Sequence, residues 1–154
     1  MDKTKIKDLV NQAIEENQEL FLIELNFLTE NKIYVEVDGD HGITLQECIR
    51  ISRVVENNLD REEEDFSLEV TSPDIAKPLK VKRQYIKNIN RQLQIKLKDN
   101  SNILGNLKGV DENSIDLEWK AREPKPIGKG KITVVKKATI QFEDILEAKV
   151  KLLF

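Results

Sequence analysis

The chain has 154 residues, of which 39% are apolar and 34% are charged, so it can form a folded core and does not have the composition of a disordered protein. It contains no run of about 18 apolar residues and only one cysteine, Cys48, which predicts no membrane span, no intrachain disulfide and a reducing, cytoplasmic location. Residues 1–76 contain 7 basic and 19 acidic residues, for a net charge of −12, whereas residues 77–154 contain 18 and 9, for a net charge of +9.

Apolar periodicity in the first half predicts two helices and three strands. A helix is expected over residues 4–18, followed by strands at 20–28 and 33–37 that form a hairpin. A second helix follows the Thr44 to Glu47 capping box, and a third strand covers 66–70. The order predicts a three-stranded sheet with both helices on one face, and the third strand could lie beside either of the others. The second helix is expected to bury one stripe: Leu45, Cys48, Ile51, Val55 and Leu59.

Prolines and the change in charge indicate a boundary between two domains. Ser72-Pro73 and Lys77-Pro78 interrupt the pattern, because proline lacks an amide donor and restricts the residue before it. We therefore expect domains at 1–80 and 81–154, with the boundary near 77–90. A short linker helix is predicted around 82–88, and the acidic run at 61–65 is expected to be a solvated loop.

The second half alternates apolar and polar residues over short stretches, which is typical of strands. About five short antiparallel strands predict a small SH3-like or Sm-like β-barrel. With the helical first half, the fold class is α+β. Residues 143–148 are expected to form a final helical turn. The strands are predicted at 93–97, 103–107, 115–119, 132–135 and 139–142.

Motifs for catalysis are missing from the sequence. His41 is the only histidine and has no nucleophile motif near it, and one Cys with one His would leave a zinc site incomplete. Asp38 and Asp40 resemble the start of a calcium loop, but Ile49 stands where the bidentate Glu belongs. We therefore predict that the protein is not an enzyme and uses no metal, cofactor or small-molecule substrate. The many other carboxylates are interpreted as a solvated acidic face.

A basic stretch follows Trp119, with Glu123 as its one acidic residue. Its two prolines and two glycines predict a loop between strands, which could contact phosphates or could simply be solvated. Trp119 alternates with Ile115 and Leu117, which favours a core position over a platform for bases. The basic residues are Lys120, Arg122, Lys125, Lys129, Lys131, Lys136 and Lys137.

Motifs spread over nearly the whole chain resemble those of one protein family. In chain order they are Val37-Asp38, Gly42-Ile43-Thr44-Leu45, Cys48, Ile51-Ser52-Arg53, Leu59-Asp60, Leu68-Glu69-Val70-Thr71-Ser72-Pro73, Lys77-Pro78-Leu79 and Gly105-Asn106-Leu107. The combination is similar to the ribosome maturation factor RimP family, whose hallmark is an EVSSPG-type stretch followed by a basic residue, Pro and Leu. The chain departs from that pattern at Thr71, Asp74, Ala76 and Lys77, and it has Asn90 where a Gly is frequent.

The resemblance implies a cytoplasmic, monomeric, non-catalytic factor that promotes assembly of the immature small (30S) ribosomal subunit. It would bind that subunit through a ribosomal protein and possibly 16S rRNA, with the basic half facing it. Ser72, Pro73 and Pro78 could form an interdomain turn or a docking element. The expected ribosome-binding residues are Lys77, Arg122, Lys125, Lys129, Lys131, Lys136 and Lys137.

Two other functions remain open from the residues. One is a general RNA-binding module or RNA chaperone with an Sm-like barrel, which a ring-sized oligomer would support. The other is a small hydrolase that would need Asp38, Asp40 and His41.

Overall fold

A computed structural model of the protein describes residues 2–60, 65–74 and 77–151. The chain divides into two compact units, residues 1–74 and residues 75–154. Four residues of the acidic run predicted as a loop, 61–64, lie outside the described residues.

The first unit has the predicted αββαβ order. Its sheet has the strand order β1-β2-β3, in which β1 and β2 are antiparallel and β2 and β3 are parallel. The third strand therefore lies beside the second, which the sequence had left open. The elements are α1 (Lys3–Glu15), β1 (Leu20–Leu28), β2 (Lys32–Gly39), α2 (Leu45–Asn57) and β3 (Ser67–Thr71).

The core of the first unit is built on the central strand β2. Ile33, Val35 and Val37 alternate onto one face of the sheet, and all three are completely buried. They form one apolar cluster with stripes from both helices, so both helices cover this face, as predicted. Burial of an Ile or Val side chain stabilises the fold by about 1.5–3 kcal/mol. The helical members of the cluster are Ile6, Val10, Ala13, Ile14, Ile51 and Val55.

The N-terminus of α2 is capped by Thr44. The Glu47 amide donates to Thr44 Oγ1 at 3.2 Å, which confirms the cap. The predicted burial of Leu45 is wrong, because this side chain is 76% exposed. A helix turns by about 100° per residue, so Leu45 lies about 90° from the centre of the arc that Cys48, Ile51 and Val55 bury.

The second unit is a five-stranded antiparallel sheet preceded by a short helix. Its strand order is β7-β6-β5-β4-β8. The α+β class and the barrel-like second half are thus confirmed. Within the described residues the edge strands β7 and β8 do not pair, so backbone hydrogen bonds do not close the sheet. The elements are α3 (Lys82–Lys87), β4 (Gln92–Leu97), β5 (Asn102–Val110), β6 (Ser114–Pro124), β7 (Lys131–Gln141) and β8 (Ile145–Val150).

Two predictions for the end of the chain are wrong. The expected strands at 132–135 and 139–142 are parts of one strand, β7, because β6 pairs with it continuously from Ser114 opposite Gln141 to Pro124 opposite Lys131. The expected helical turn at 143–148 is a single 3₁₀ turn, Phe142–Asp144, followed by β8. Strand β4 offers β8 an antiparallel partner, and that pairing outweighs the local helical preference of the segment.

Apolar residues from all five strands form the core of this unit. Leu93, Ile95, Leu107 and Ile115 are completely buried. Trp119 is half-buried and packs against the same cluster, which confirms its core position. The cluster also includes Leu117, Ile140, Ala148 and Tyr85.

Tyr85 packs the helix α3 against Phe142, and Gln84 accepts hydrogen bonds at the N-terminus of the helix. The Tyr85 ring packs edge-on against Phe142 with ring centroids 5.1 Å apart, and burial raises the pKa of Tyr85 to about 12. The Gln84 side-chain oxygen accepts hydrogen bonds from the amides of Lys80 and Val81 at 2.6 and 3.0 Å.

Asn90, at φ +74°, has the left-handed conformation that Asn tolerates.

Candidate functional site

The residues considered for catalysis differ in their surroundings. Asp38 is buried and accepts a hydrogen bond from the Gly39 amide at 2.8 Å, while His41 is exposed. A Cβ at Gly39 would overlap the carbonyl oxygen of Gly42, so close backbone packing shapes this loop. Cys48 is 8% exposed, and burial raises the pKa of its thiol, as expected for an unreactive cysteine.

The described residues meet the requirements neither of a metal site nor of a membrane-spanning helix. Among residues 2–60, 65–74 and 77–151, no group of three or more His, Cys, Asp or Glu could hold a metal ion. No helix in these ranges is long and apolar enough to cross a membrane.

Most of the basic stretch belongs to the two strands of a regular hairpin, so the loop predicted between strands is shorter than expected. Eleven consecutive residue pairs join β6 to β7 without a register shift. Only residues 125–130 lie between the strands, and the Lys125 amide donates to the Gly130 carbonyl at 3.1 Å. Gly128 and Gly130 have φ values of +88° and +96°, which explains why glycine occupies these turn positions.

Strand pairing assigns the basic side chains to two faces of the hairpin. Directly opposed residues share a face, and alternate residues along a strand share it too. Lys120 pairs with Val135, Arg122 with Thr133, Pro124 with Lys131 and Glu118 with Lys137, so these residues lie on one face. We call its four cations and their two exposed neighbours the outer hairpin face: Lys120, Arg122, Lys131, Thr133, Val135 and Lys137.

The opposite face contains the remaining strand cation, Lys136. Its ammonium group forms an ion pair with the carboxylate of Glu123. Lys136 pairs with Trp119, so it lies on the side of the hairpin that continues into the core. The structure therefore separates Lys136 from Lys137, which sequence reasoning had grouped together.

Arg122 is held in place across the hairpin. Its Nη1 donates to Thr133 Oγ1 at 3.0 Å, and its Nη2 donates to the Lys131 carbonyl at 3.3 Å. A guanidinium has five N–H donors, so these two bonds leave other donors available to a ligand. The arrangement orients a cation that would otherwise have several side-chain conformations.

Comparison with known proteins identifies the family. A family model for the RimP N-terminal domain matches residues 9–76. The chain is 51% identical over 154 residues, all of both chains, to a protein of Christiangramia forsetii named "Ribosome maturation factor RimP". A protein of the same name from Flavobacterium psychrophilum is 50% identical over 152 residues, covering 99% of this chain and 98% of that protein.

The chain belongs to the ribosome maturation factor RimP family. A third relative of that name, from Porphyromonas gingivalis, is 35% identical over 149 residues, covering 96% of this chain and 97% of that protein.

The turn that suggested the RimP family lies apart from the hairpin in the chain. Ser72 and Pro73 follow β3, and the Ser72 carbonyl accepts a hydrogen bond from Thr71 Oγ1 at 3.3 Å. Lys77 is exposed and Pro78 is half-buried. The segment that leads into α3 lies beside the edge strand β8, because the Leu79 amide donates to the Ala148 carbonyl at 2.8 Å. The hairpin includes the other edge strand of this sheet, β7. The structure therefore does not make Lys77 part of the hairpin.

In the matched N-terminal domain of this RimP family member, Arg50 joins the two helices. It donates to the Ala13 carbonyl at 2.8 Å, to Glu16 at 2.7 Å and to Glu47 at 3.0 Å. The hydrogen bond from Arg50 lowers the pKa of Glu47. Sequence reasoning missed this cluster, because its two helices are joined by long-range contacts that spacing within one helix cannot reveal.

Proposed function

We propose that this protein is a cytoplasmic, non-catalytic ribosome maturation factor that binds the immature small (30S) ribosomal subunit as a monomer and promotes its assembly. The main support is the 51% identity, over the full length of both chains, to a protein named for ribosome maturation. The likeness extends over both compact units, so it includes the basic half as well as the N-terminal domain.

The charge distribution supports a defined orientation on the subunit. Residues 77–154 have a net charge of +9 and residues 1–76 a net charge of −12. A surface of ribosomal RNA attracts the first and repels the second. We therefore place the basic half towards the subunit, where it contacts a small-subunit ribosomal protein and possibly 16S rRNA. The candidate docking charges are Lys77, Arg122, Lys125, Lys129, Lys131, Lys136 and Lys137.

Binding energy alone can drive this activity. A factor that binds one arrangement of an assembling particle more tightly than another raises the population of the first. No covalent step is needed. Ser72, Pro73 and Pro78 would then act through the shape of the turn, either by docking or by restricting the chain between the units.

Co-sedimentation with ribosomal particles tests the proposal. Purified protein is mixed with mature small subunits, mature large subunits and immature small-subunit particles over a series of KCl concentrations. We expect salt-weakened binding that is strongest with the immature particle. Absence of binding to every particle at low salt would contradict the proposal. A ring-sized oligomer in gel filtration, with equal binding to unrelated RNA, would favour an RNA chaperone instead.

A further inference from the structure

We infer that the outer hairpin face of β6 and β7 is a contact site for the phosphate backbone of RNA. The inference deepens the proposed function, because it assigns this part of the docking surface to ribosomal RNA and not to a ribosomal protein. It rests on the arrangement of the cations, their freedom from internal partners and the absence of aromatic residues among the paired residues of this face.

The cations follow one another at regular intervals along the hairpin. Successive pairs on the outer hairpin face are Glu118 with Lys137, Lys120 with Val135, Arg122 with Thr133 and Pro124 with Lys131. Each of these four rows contains one cation, and neighbouring rows are about 6.7 Å apart because two strand residues separate them. Glu118 adds one carboxylate beside Lys137, and the other three rows each contain a cation and no acidic residue. Such a line of positive charges matches a polymer with one negative charge per nucleotide.

The three lysines of this face are available to a ligand. Lys120, Lys131 and Lys137 are exposed, and their side chains make no ion pair or hydrogen bond with another residue that the structure describes. Arg122 is oriented by Thr133 and retains further donors. Lys136, on the other face, is instead bound to Glu123.

The surroundings of the cations favour RNA over a protein partner. Interfaces between proteins are enriched in aromatic residues and depleted in lysine, whereas this face has three lysines and no aromatic residue, and its exposed apolar side chains are Val135 and Pro124. Trp119 lies on the opposite face against the core, so it offers no surface for stacking bases. The contact should therefore follow the phosphates and be nearly independent of base sequence.

The hairpin also supplies a rigid support. The pairing is continuous through eleven rows, and its base is anchored in the core by Ile115, Leu117 and Ile140. A cation held on a fixed strand loses less conformational freedom on binding than one on a mobile loop, which increases the affinity that each contact provides.

Quantitative binding to protein-free 16S rRNA tests the inference. The full-length protein is compared with a face variant, Lys120→Gln, Arg122→Gln, Lys131→Gln and Lys137→Gln combined. The matched control removes four positive charges from β4, β8 and their ends: Lys96→Gln, Lys98→Gln, Lys149→Gln and Lys151→Gln. All eight side chains lie outside the apolar core clusters, and thermal unfolding monitored by Trp119 fluorescence checks that each variant is folded.

For the face variant we expect weaker RNA binding by roughly 10- to 100-fold at 100 mM KCl and a slope of log K against log [KCl] that is smaller by about three. The control variant should change the affinity less than threefold. Equal losses in the two variants would overturn the inference, because net charge alone would then explain binding.

Binding to immature small-subunit particles separates the inference from the proposed function. If the face variant binds protein-free 16S rRNA like the wild type but fails on the particles, the face contacts a ribosomal protein and the inference is wrong. If the wild type binds protein-free rRNA through this face but no ribosomal particle, the proposed function fails while the RNA contact stands.

Discussion

The hairpins β1–β2 and β6–β7 are both long antiparallel pairs, but they bury their side chains differently. Helices α1 and α2 cover the first hairpin, and its strand β2 lies in the middle of a sheet where Ile33, Val35 and Val37 are completely buried. In the second hairpin only the base lies in the core, and β7 is an edge strand. Residues such as Val135, 53% exposed, lie well beyond that base.

The difference in burial fits a structural role for β1–β2 and the proposed RNA contact for β6–β7. The pairing of β1 with β2 has a register shift between Leu22 and Glu24, whereas β6 and β7 pair without a shift. Regular pairing with little burial keeps side chains at fixed intervals and leaves them accessible. Changes in β1–β2 should therefore affect folding, and changes in the distal part of β6–β7 should affect binding.

Matched valine substitutions should show the largest contrast between the hairpins. Val35→Ala removes methyl groups from a fully buried site and should lower the free energy of unfolding by about 2–3 kcal/mol. Val135→Ala should change it by less than about 0.5 kcal/mol. Urea unfolding followed by circular dichroism at 222 nm reports mainly on α1 and α2, while fluorescence of the single tryptophan, Trp119, reports on the second unit. Similar losses in both variants would remove the contrast.

The ion-pair cluster that holds the helices over β1–β2 should give the next largest effect. Arg50→Ala removes the bonds to Ala13, Glu16 and Glu47 and should lower the free energy of unfolding by about 1–2 kcal/mol. The helical circular dichroism signal should report the loss in urea. Arg53→Ala, an exposed arginine on the same helix, serves as the control and should be nearly neutral. Equal effects would show that the cluster contributes little.

The same cluster predicts a pH dependence. Arg50 lowers the pKa of Glu47, so the folded state binds a proton at this carboxyl less readily than the unfolded chain does. The stabilisation is therefore present above the ordinary carboxyl pKa of about 4.3 and is lost as the pH falls through the lowered value. The cost of Arg50→Ala should be larger at pH 7 than at pH 3. In a Glu47→Gln background this pH dependence should disappear, and its persistence would assign it to another carboxyl.

The cap of α2 should contribute somewhat less. Thr44→Ala removes the acceptor of the Glu47 amide and should cost about 1 kcal/mol in urea unfolding. Thr44→Ser retains the hydroxyl and should recover most of that stability. A full loss in the serine variant would mean that the methyl group of Thr44, and not the cap, is important.

The ion pair on the opposite face of β6–β7 should give the smallest effect. Lys136→Gln removes the ammonium group that pairs with Glu123, at a site where both side chains are more than 40% exposed, and it should cost less than about 1 kcal/mol. Thermal unfolding followed by Trp119 fluorescence measures it. A larger cost would show that the distal hairpin contributes to folding after all.

Local patterns were sufficient to predict most of the fold. The alternation of Ile33, Val35 and Val37 in β2 and the stripe in α1 identified these elements, because each places its apolar residues on one buried face with a clear period. The segment of β8 was predicted as helical, since its sequence permits either structure and only its pairing with β4 decides between them. Leu45 shows a second limit of prediction from spacing. A residue at the margin of an apolar helical stripe can be either buried or exposed, and its spacing in the sequence does not decide which.

The candidate site was predicted less completely. Composition alone located the basic stretch, but its prolines and glycines led us to predict strands that are too short. The strands extend from Ser114 to Pro124 and from Lys131 to Gln141. Without the pairing register, Lys120 was not selected and Lys136 was grouped with Lys137. Alternation of residues along β6 could have placed Lys120 beside Arg122, whereas the relation of Lys131 to Pro124 depends on the register across the hairpin.

The burial of Cys48 has a practical consequence for labelling. A thiol that is 8% exposed and whose pKa is raised remains protonated and reacts slowly with maleimide reagents. Ile127, 90% exposed at the end of the β6–β7 hairpin, offers a position where an introduced cysteine would react readily. The variant Ile127→Cys could therefore take up a single fluorophore next to the outer hairpin face while the native cysteine stays in place.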